Sequence, residues 1–373
     1  VTLASDKWRS SLQRITGTEY RGGQLVQLSE AIMASLSGGQ AKDLDLGTSQ
    51  SVMLLLIDGL GFEQLQQFRA HARNLAEFVG EQMGLSCVPA TTTAALSTTF
   101  TGELPAKHRM LGYSLFVAEK RFNLLNFNDA PMPAKEWQAC PTIFAELNLL
   151  EIPNRVVLAP KYQGSGLTEA LFSAADFIPA ANGEQRVTAL KKASYLPGFT
   201  YGYWPEVDHA GHHYGVGSPQ WLAALEQTDS EFAQLRRQMN QNCRLILVAD
   251  HGMVNSQPDH AFDLASEPHL AKGVKTIAGE PRAVHVFANE TKEVPDLVAR
   301  WKENLGEYAW ILSPEESRIL HGGQSEYNGD FQVYFKENYT LGDSRFQSPQ
   351  MLSLAGVHGS LTVAEMQIPL AWE

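Results

Sequence analysis

The chain has 373 residues, 44% hydrophobic and 19% charged, a globular mix that excludes a disordered or fibrous chain and suits one large α/β domain with insertions. Its 29 basic and 41 acidic residues leave a formal charge of −12 with no basic block, which argues against long nucleic acid and for a small substrate. Cys87, Cys140 and Cys243 are scattered and odd in number, giving no disulfide framework and no CxxC knuckle, and no run approaches the roughly 20 apolar residues of a membrane span.

In chain order, Val1 to Ser5 lack the basic start and apolar stretch of a secretory signal; with thiols read as buried and reduced, the expected location is cytoplasmic. Helical periodicity covers residues 24–36, and a buried strand covers 52–57, ending in Asp58-Gly59-Leu60-Gly61. A carboxylate there can ligate an ion at the sheet edge or simply open a turn. A helix is expected over 63–78. Next comes Pro89-Ala90-Thr91-Thr92-Thr93, followed by a small, apolar run of helical character. A threonine opening that helix has its hydroxyl beside free N–H groups that can hold a phosphate oxygen; equally, one threonine can be only the N-cap.

Residues 112–140 look less regular and read as a cap or lid. A helix over 141–149, strands over 155–158 and 199–204, and a helix over 220–239 follow. Between the last two lies Asp208-His-Ala-Gly-His212, whose spacing of four puts carboxylate and imidazole on one side of a helix or tight loop. A strand over 245–249 ends in Asp250-His251-Gly252. In a turn these two side chains can converge on one ion; a helix cap by Asp250 with a solvated His251 is the alternative. Residues 258–353 form a second less regular stretch and cap candidate, with a buried strand over 284–287. Gly356-Val-His358-Gly359 closes the series, its glycines allowing close backbone approach.

Strands alternating with helices predict a mostly parallel central sheet with helices on both faces. Ligands bind beyond the carboxyl ends of such strands, where Asp58 and Asp250 fall. Asp58, Asp208, His212, Asp250, His251 and His358 make three carboxylates and three imidazoles. Two sets of three suit two borderline-soft ions with open positions, and the nitrogen ligands favour zinc over magnesium.

In this order the segments resemble the alkaline phosphatase superfamily, and within it the type I phosphodiesterase/nucleotide pyrophosphatase family. Thr101-Gly102-Glu-Leu-Pro105-Ala-Lys-His108 matches that family's Thr-Gly-x-x-Pro-x-x-His run. The resemblance implies an alkaline phosphatase-like fold over one domain, 1–373, with cap insertions at about 112–140 and 258–353. It implies two divalent ions, zinc or another, one held by Asp208, His212 and His358 and the other by Asp58, Asp250, His251 and the nucleophile. Counting back nine residues from Thr101 puts the nucleophile at Thr92, with Thr91 and Thr93 as neighbouring alternatives. The family usually has Asn where this chain has Tyr113, and Gly where it has Arg109; both are candidate substrate contacts, with a surface salt bridge the other role for Arg109.

The implied reaction is hydrolysis of a small phosphate ester through a phospho-threonine, with a nucleotide as one substrate. Tyr113, Phe116, Phe122 and Trp137 are candidates to stack on a base, or to pack core and lid. A phosphomonoesterase, a phosphonate hydrolase and a non-catalytic metal-binding relative are the alternatives. The complete ligand set argues against the last. Cys87-Val-Pro89-Ala-Thr91 lacks the arginine of a sulfatase motif. A phosphoglycerate mutase of the cofactor-independent kind would want a serine nucleophile and a larger insertion.

Overall fold

The computed structural model describes residues 9, 10, 13, 20 and 22–373, so Val1 to Ser5, on which the reading of the leader rests, lie outside it. Apolar runs build a seven-stranded sheet from β1 (Ser51–Ile57), β2 (Met83–Leu85), β3 (Asn154–Leu158), β4 (Asp176–Pro179), β5 (Gly198–Trp204), β6 (Arg244–Val248) and β7 (Gln367–Trp372). The spatial order is β2-β7-β6-β1-β5-β3-β4. Strands β6, β1, β5, β3 and β4 are parallel, and β7 runs antiparallel to β6 and β2. Every residue of the central β1 is buried, which is why its sequence is a continuous apolar run rather than an alternating one.

Helices cover both faces of the sheet. Leu25–Ser37 packs on Thr92–Thr101 and Ile143–Leu149; Pro219–Gln238 packs on Arg73–Val79, Gly183–Ser194 and Glu206–Tyr214. Local chemistry sets their ends. Ser218 Oγ accepts the Trp221 N–H at 3.2 Å, Pro219 fills the first position, and Arg236 and Arg237 occupy the last turn.

Several expectations change. The helix over 63–78 is two, Phe62–Gln67 and Arg73–Val79. The break is stabilised from outside: Asp229 on the neighbouring helix accepts the Leu75 N–H at 2.8 Å, and Phe68 packs edge-on to Trp221. The helix expected from 141 starts at Ile143, because Thr142 caps it by accepting the Ala145 N–H.

The strand over 284–287 does not join the central sheet. It is part of Ala283–Ala288 in a four-stranded antiparallel sheet with Val274–Glu280, Ala309–Leu312 and Phe331–Phe335. Periodicity marks a buried run but not which sheet it joins. The stretch 258–353 is therefore regular, with its own core around Val286, Trp301 and Phe331. Within 112–140, Ser114–Val117 and Lys120–Asn123 form a hairpin packed against Val274–Glu280. Cys87 and Cys243 are buried, whereas Cys140 is only half-buried. Among the described residues no helix is long and apolar enough to cross a membrane.

Candidate active site

Three adjacent strands, β6, β1 and β5, bring their carboxyl ends to one place. Asp58 follows β1, while Asp250 and His251 follow β6. Asp208 and His212 stand one turn apart on the helix Glu206–Tyr214 after β5, with His212 Nε2 3.4 Å from Asp208 Oδ2. His358 arrives from the far end of the chain through the short ladder of Gly356–Val357 with Val254–Asn255. Its Nε2 lies 3.3 Å from His212 Nε2 and 4.0 Å from Asp208 Oδ1.

The ligand atoms form two overlapping groups, each within 4.8 Å: Asp208, His212 and His358, and Asp58, Asp208 and His251. The first is the set expected from sequence. In the second Asp208 joins Asp58 and His251, so it stands between the two. Asp250 stays beside them, its Oδ2 3.5 Å from His251 Nε2. The turn after β6 thus makes adjacent Asp and His side chains converge.

The hydrogen bonds fit this cluster to cations. The Nδ1–H groups of His212, His251 and His358 donate to the carbonyls of Gly356 at 2.8 Å, Gly252 at 3.0 Å and Ala90 at 3.0 Å. A carbonyl only accepts, so each neutral ring turns an Nε2 lone pair into the site. Two such lone pairs face each other at 3.3 Å between His212 and His358, which is favourable only with a positive charge between them. Asp58 Oδ1, Asp208 Oδ1 and Asp250 Oδ2 are buried with no donor. Burial, then the charges of Asp250 and Asp208, holds the Asp58 carboxyl well above its ordinary pKa. Burial, then His251 and His212, holds His358 well below its own, so its imidazole is neutral, as a ligand must be.

Gly59 makes room for this packing. Its φ is +70°, and a Cβ there would lie 2.8 Å from Asp208 Oδ1.

The three threonines go different ways. Thr91 occupies the N-cap of the helix Thr92–Thr101 without capping it, and stands beside Glu280. Thr93 Oγ1 donates to the Gly112 carbonyl at 2.6 Å. Thr92 alone turns its hydroxyl to the cluster, 3.3 Å from His251 Nε2. Within the matching run His108 is fully buried against Thr98, 3.1 Å away.

Asp58, Thr92, Asp208, His212 and His358 line a cavity of about 550 Å³. Tyr113 lines it too. Arg109 does not: it takes the left-handed cap of the short helix Pro105–His108, and no salt bridge of its own is found among the described residues. Of the other aromatic candidates, Phe122 and Trp137 pack on each other in the core and Phe116 packs on Phe287. The aromatic wall of the cavity is made instead by Tyr162, Tyr201, Tyr203 and Phe172.

Two site neighbours are not obvious from motifs. The Tyr203 hydroxyl donates to Asp58 Oδ2. Since β5 pairs in parallel with β1, Leu56 opposite Tyr203, the strand alignment contains the signal. Glu280, from the four-stranded sheet, accepts the Tyr113 N–H at 2.7 Å, and burial pushes its carboxyl up to about 8. No sequence motif brings it there.

Comparison with known proteins agrees with this fold. Murine ectonucleotide pyrophosphatase/phosphodiesterase 5 superposes with a TM-score of 0.68 at 16% identity, over 86% of this chain and 88% of that one. An inactive form of it solved with AMP gives 0.67, at 16% identity over 86% and 87%. Phosphonoacetate hydrolase from Sinorhizobium meliloti, in complex with phosphonoformate, gives 0.66 at 17% identity, over 87% and 90%. A search of curated proteins found no match. Residues 52–360 match the sequence model of type I phosphodiesterase / nucleotide pyrophosphatase, a family of phosphoric ester hydrolases within the alkaline phosphatase superfamily, and the chain belongs to that family.

Proposed function

We propose that this protein is a two-zinc phosphodiesterase or nucleotide pyrophosphatase working through a phosphorylated Thr92. One observation carries the reading: the Thr92 hydroxyl opens a helix 3.3 Å from His251 Nε2, beside three buried carboxylate oxygens that have no donor. Asp208, His212 and His358 would hold one ion, and Asp58, Asp250, His251 and Thr92 the other. Three imidazole nitrogens among the donors favour zinc. Bound there, the ions would supply Lewis acidity and offset the charge of an anionic ester on an acidic chain.

Thr92 Oγ attacks phosphorus, a P–O bond to the leaving group breaks, and water cleaves the resulting phospho-threonine. The free N–H groups at the start of the helix Thr92–Thr101 face the phosphoryl oxygens. Tyr203 fixes Asp58, and the aromatic wall around Tyr162 offers a planar group such as a nucleobase an apolar seat. The AMP bound by the murine relative supports a nucleotide substrate.

The test is hydrolysis of p-nitrophenyl phosphate against the p-nitrophenyl ester of thymidine monophosphate, with zinc and with chelator. A chelator-sensitive preference for the diester is expected; preference for the monoester overturns the diesterase reading. The second reading, a phosphonate hydrolase, is supported by the likeness to phosphonoacetate hydrolase. It predicts release of phosphate from phosphonoacetate.

A further inference from the structure

A second cavity, of about 380 Å³, lies between the hairpin and the four-stranded sheet. Tyr113, Asn126, Glu280 and Met351 line both this cavity and the one that holds Thr92. The bond from the Tyr113 N–H to Glu280 Oε2, 2.7 Å, fixes the shared wall, and Ser114 Oγ donates to the Gly279 carbonyl at 2.9 Å beside it.

Arg121, on the strand Lys120–Asn123, is the cation of this second cavity. Its Nη2 donates to Thr276 Oγ1, and its Nε is buried without a partner. Its guanidinium lies over the Phe346 ring, 4.6 Å from the centroid. The nearby Asp343 is already engaged by Arg345, through Nε to Oδ1 at 2.7 Å and Nη2 to Oδ2 at 2.6 Å. Arg345 itself approaches the same Phe346 ring, 5.5 Å from the centroid. Two guanidinium groups thus stand near one carboxylate that is bound to Arg345 alone, on a chain whose formal charge is −12. Among the described residues no carboxylate pairs with Arg121. An arginine cannot shed its charge, and a half-buried guanidinium without a counter-ion is costly unless an anion comes to it. Phe346, 57% exposed, leaves an aromatic platform open at the same place.

We propose that this cavity is a subsite for a second oxyanion of the substrate, a carboxylate or phosphate borne on the ester arm that passes Tyr113, and that Arg121 recognises it. The inference rests on the phosphodiesterase reading and adds to it a substrate class: diesters with a distal negative charge. The planar fork of Arg121 suits bidentate binding of either oxyanion, and Phe346 supports an unsaturated linker.

The zinc-loaded enzyme would be assayed with bis(p-nitrophenyl) phosphate and with analogues carrying one carboxylate, or one phosphate, on each ring. Placing the charge on both arms removes any dependence on binding direction. A charge-assisted hydrogen bond predicts that wild-type kcat/KM favours a charged analogue by about tenfold or more, mainly through KM, and that the ratio collapses toward one in R121Q. Whichever analogue gives the larger ratio identifies the oxyanion. F346L, at an exposed residue, lowers the same ratio and serves if R121Q folds poorly. Equal ratios in wild type and in the variants overturn the subsite while zinc-dependent hydrolysis of the uncharged diester leaves the phosphodiesterase reading standing. No hydrolysis of any of these diesters overturns that reading, and the subsite with it.

Discussion

Thr92 Oγ1 and His251 Nε2 lie 3.3 Å apart, although 159 residues separate them in the chain. The Nδ1–H of His251 is committed to the Gly252 carbonyl, so the nitrogen facing Thr92 carries a lone pair. Hydroxyl oxygen and imidazole nitrogen thus point at the same small volume as Asp58 and Asp250, as two ligands of one ion would.

Asp208 belongs to both ligand groups and His358 to one. On the two-zinc proposal, D208N should lose the ion held with His212 and His358 and also weaken the neighbouring one, whose group Asp208 joins, whereas H358Q should weaken chiefly the first. Elemental analysis after dialysis against a fixed zinc concentration reads this directly. Equal zinc content in the two variants would contradict the overlap.

Tyr203 holds Asp58 through its hydroxyl, outside the ligand set. Removing that hydrogen bond in Y203F should weaken zinc binding by about 10- to 100-fold, in line with losses of such supporting contacts elsewhere. A competition titration with a chromogenic chelator measures it, and an unchanged zinc affinity would remove Tyr203 from the account.

Arg282 and Glu365 form a fully buried pair, Nε to Oε1 at 2.7 Å and Nη2 to Oε2 at 2.8 Å. Glu365 also accepts N–H groups from Gly252, through its carbonyl, and from Ser360, through its carboxylate. The pair thus braces the loops that carry His251 and His358. R282M leaves a buried carboxylate unpaired and should cost about 3–5 kcal/mol in urea unfolding. A second change, Glu365→Leu, should restore much of that loss; no restoration would show that the charge is not the cause.

His108, His285 and His321 are buried between the core and the four-stranded sheet, and burial lowers them to about 3, 4 and 3. In the unfolded chain they titrate near 6.5. From there down to the folded values the unfolded chain binds more protons, so stability is lost as pH falls through that window. Each histidine contributes up to about 1.4 kcal/mol per pH unit. H321Q should have a shallower decline in urea midpoint between pH 7 and pH 5 than the wild type. The same slope in both proteins would refute the contribution.

Much of this was legible in the sequence, for identifiable reasons. Buried parallel strands are continuous apolar runs, so β1, β5 and β6 and the acids at their ends stand out. The Asp208–His212 spacing is a helix property and needs no tertiary knowledge. The split helix at Phe68–Ala72 was not legible, because Asp229 sits 154 residues from the amide it binds. Nor was Glu280, which enters from a separate sheet whose strand Ala283–Ala288 looks like any other buried run. That Arg109 takes the left-handed cap of Pro105–His108 and does not line the cavity was not legible either, because no motif carries its backbone conformation.

The most direct measurement is turnover of a chromogenic phosphodiester by T92A at wild-type zinc content. Loss of the attacking oxygen should lower kcat on the order of 10³-fold or more while both zinc ions stay bound. Turnover near the wild-type rate, with zinc retained, would contradict a threonine nucleophile.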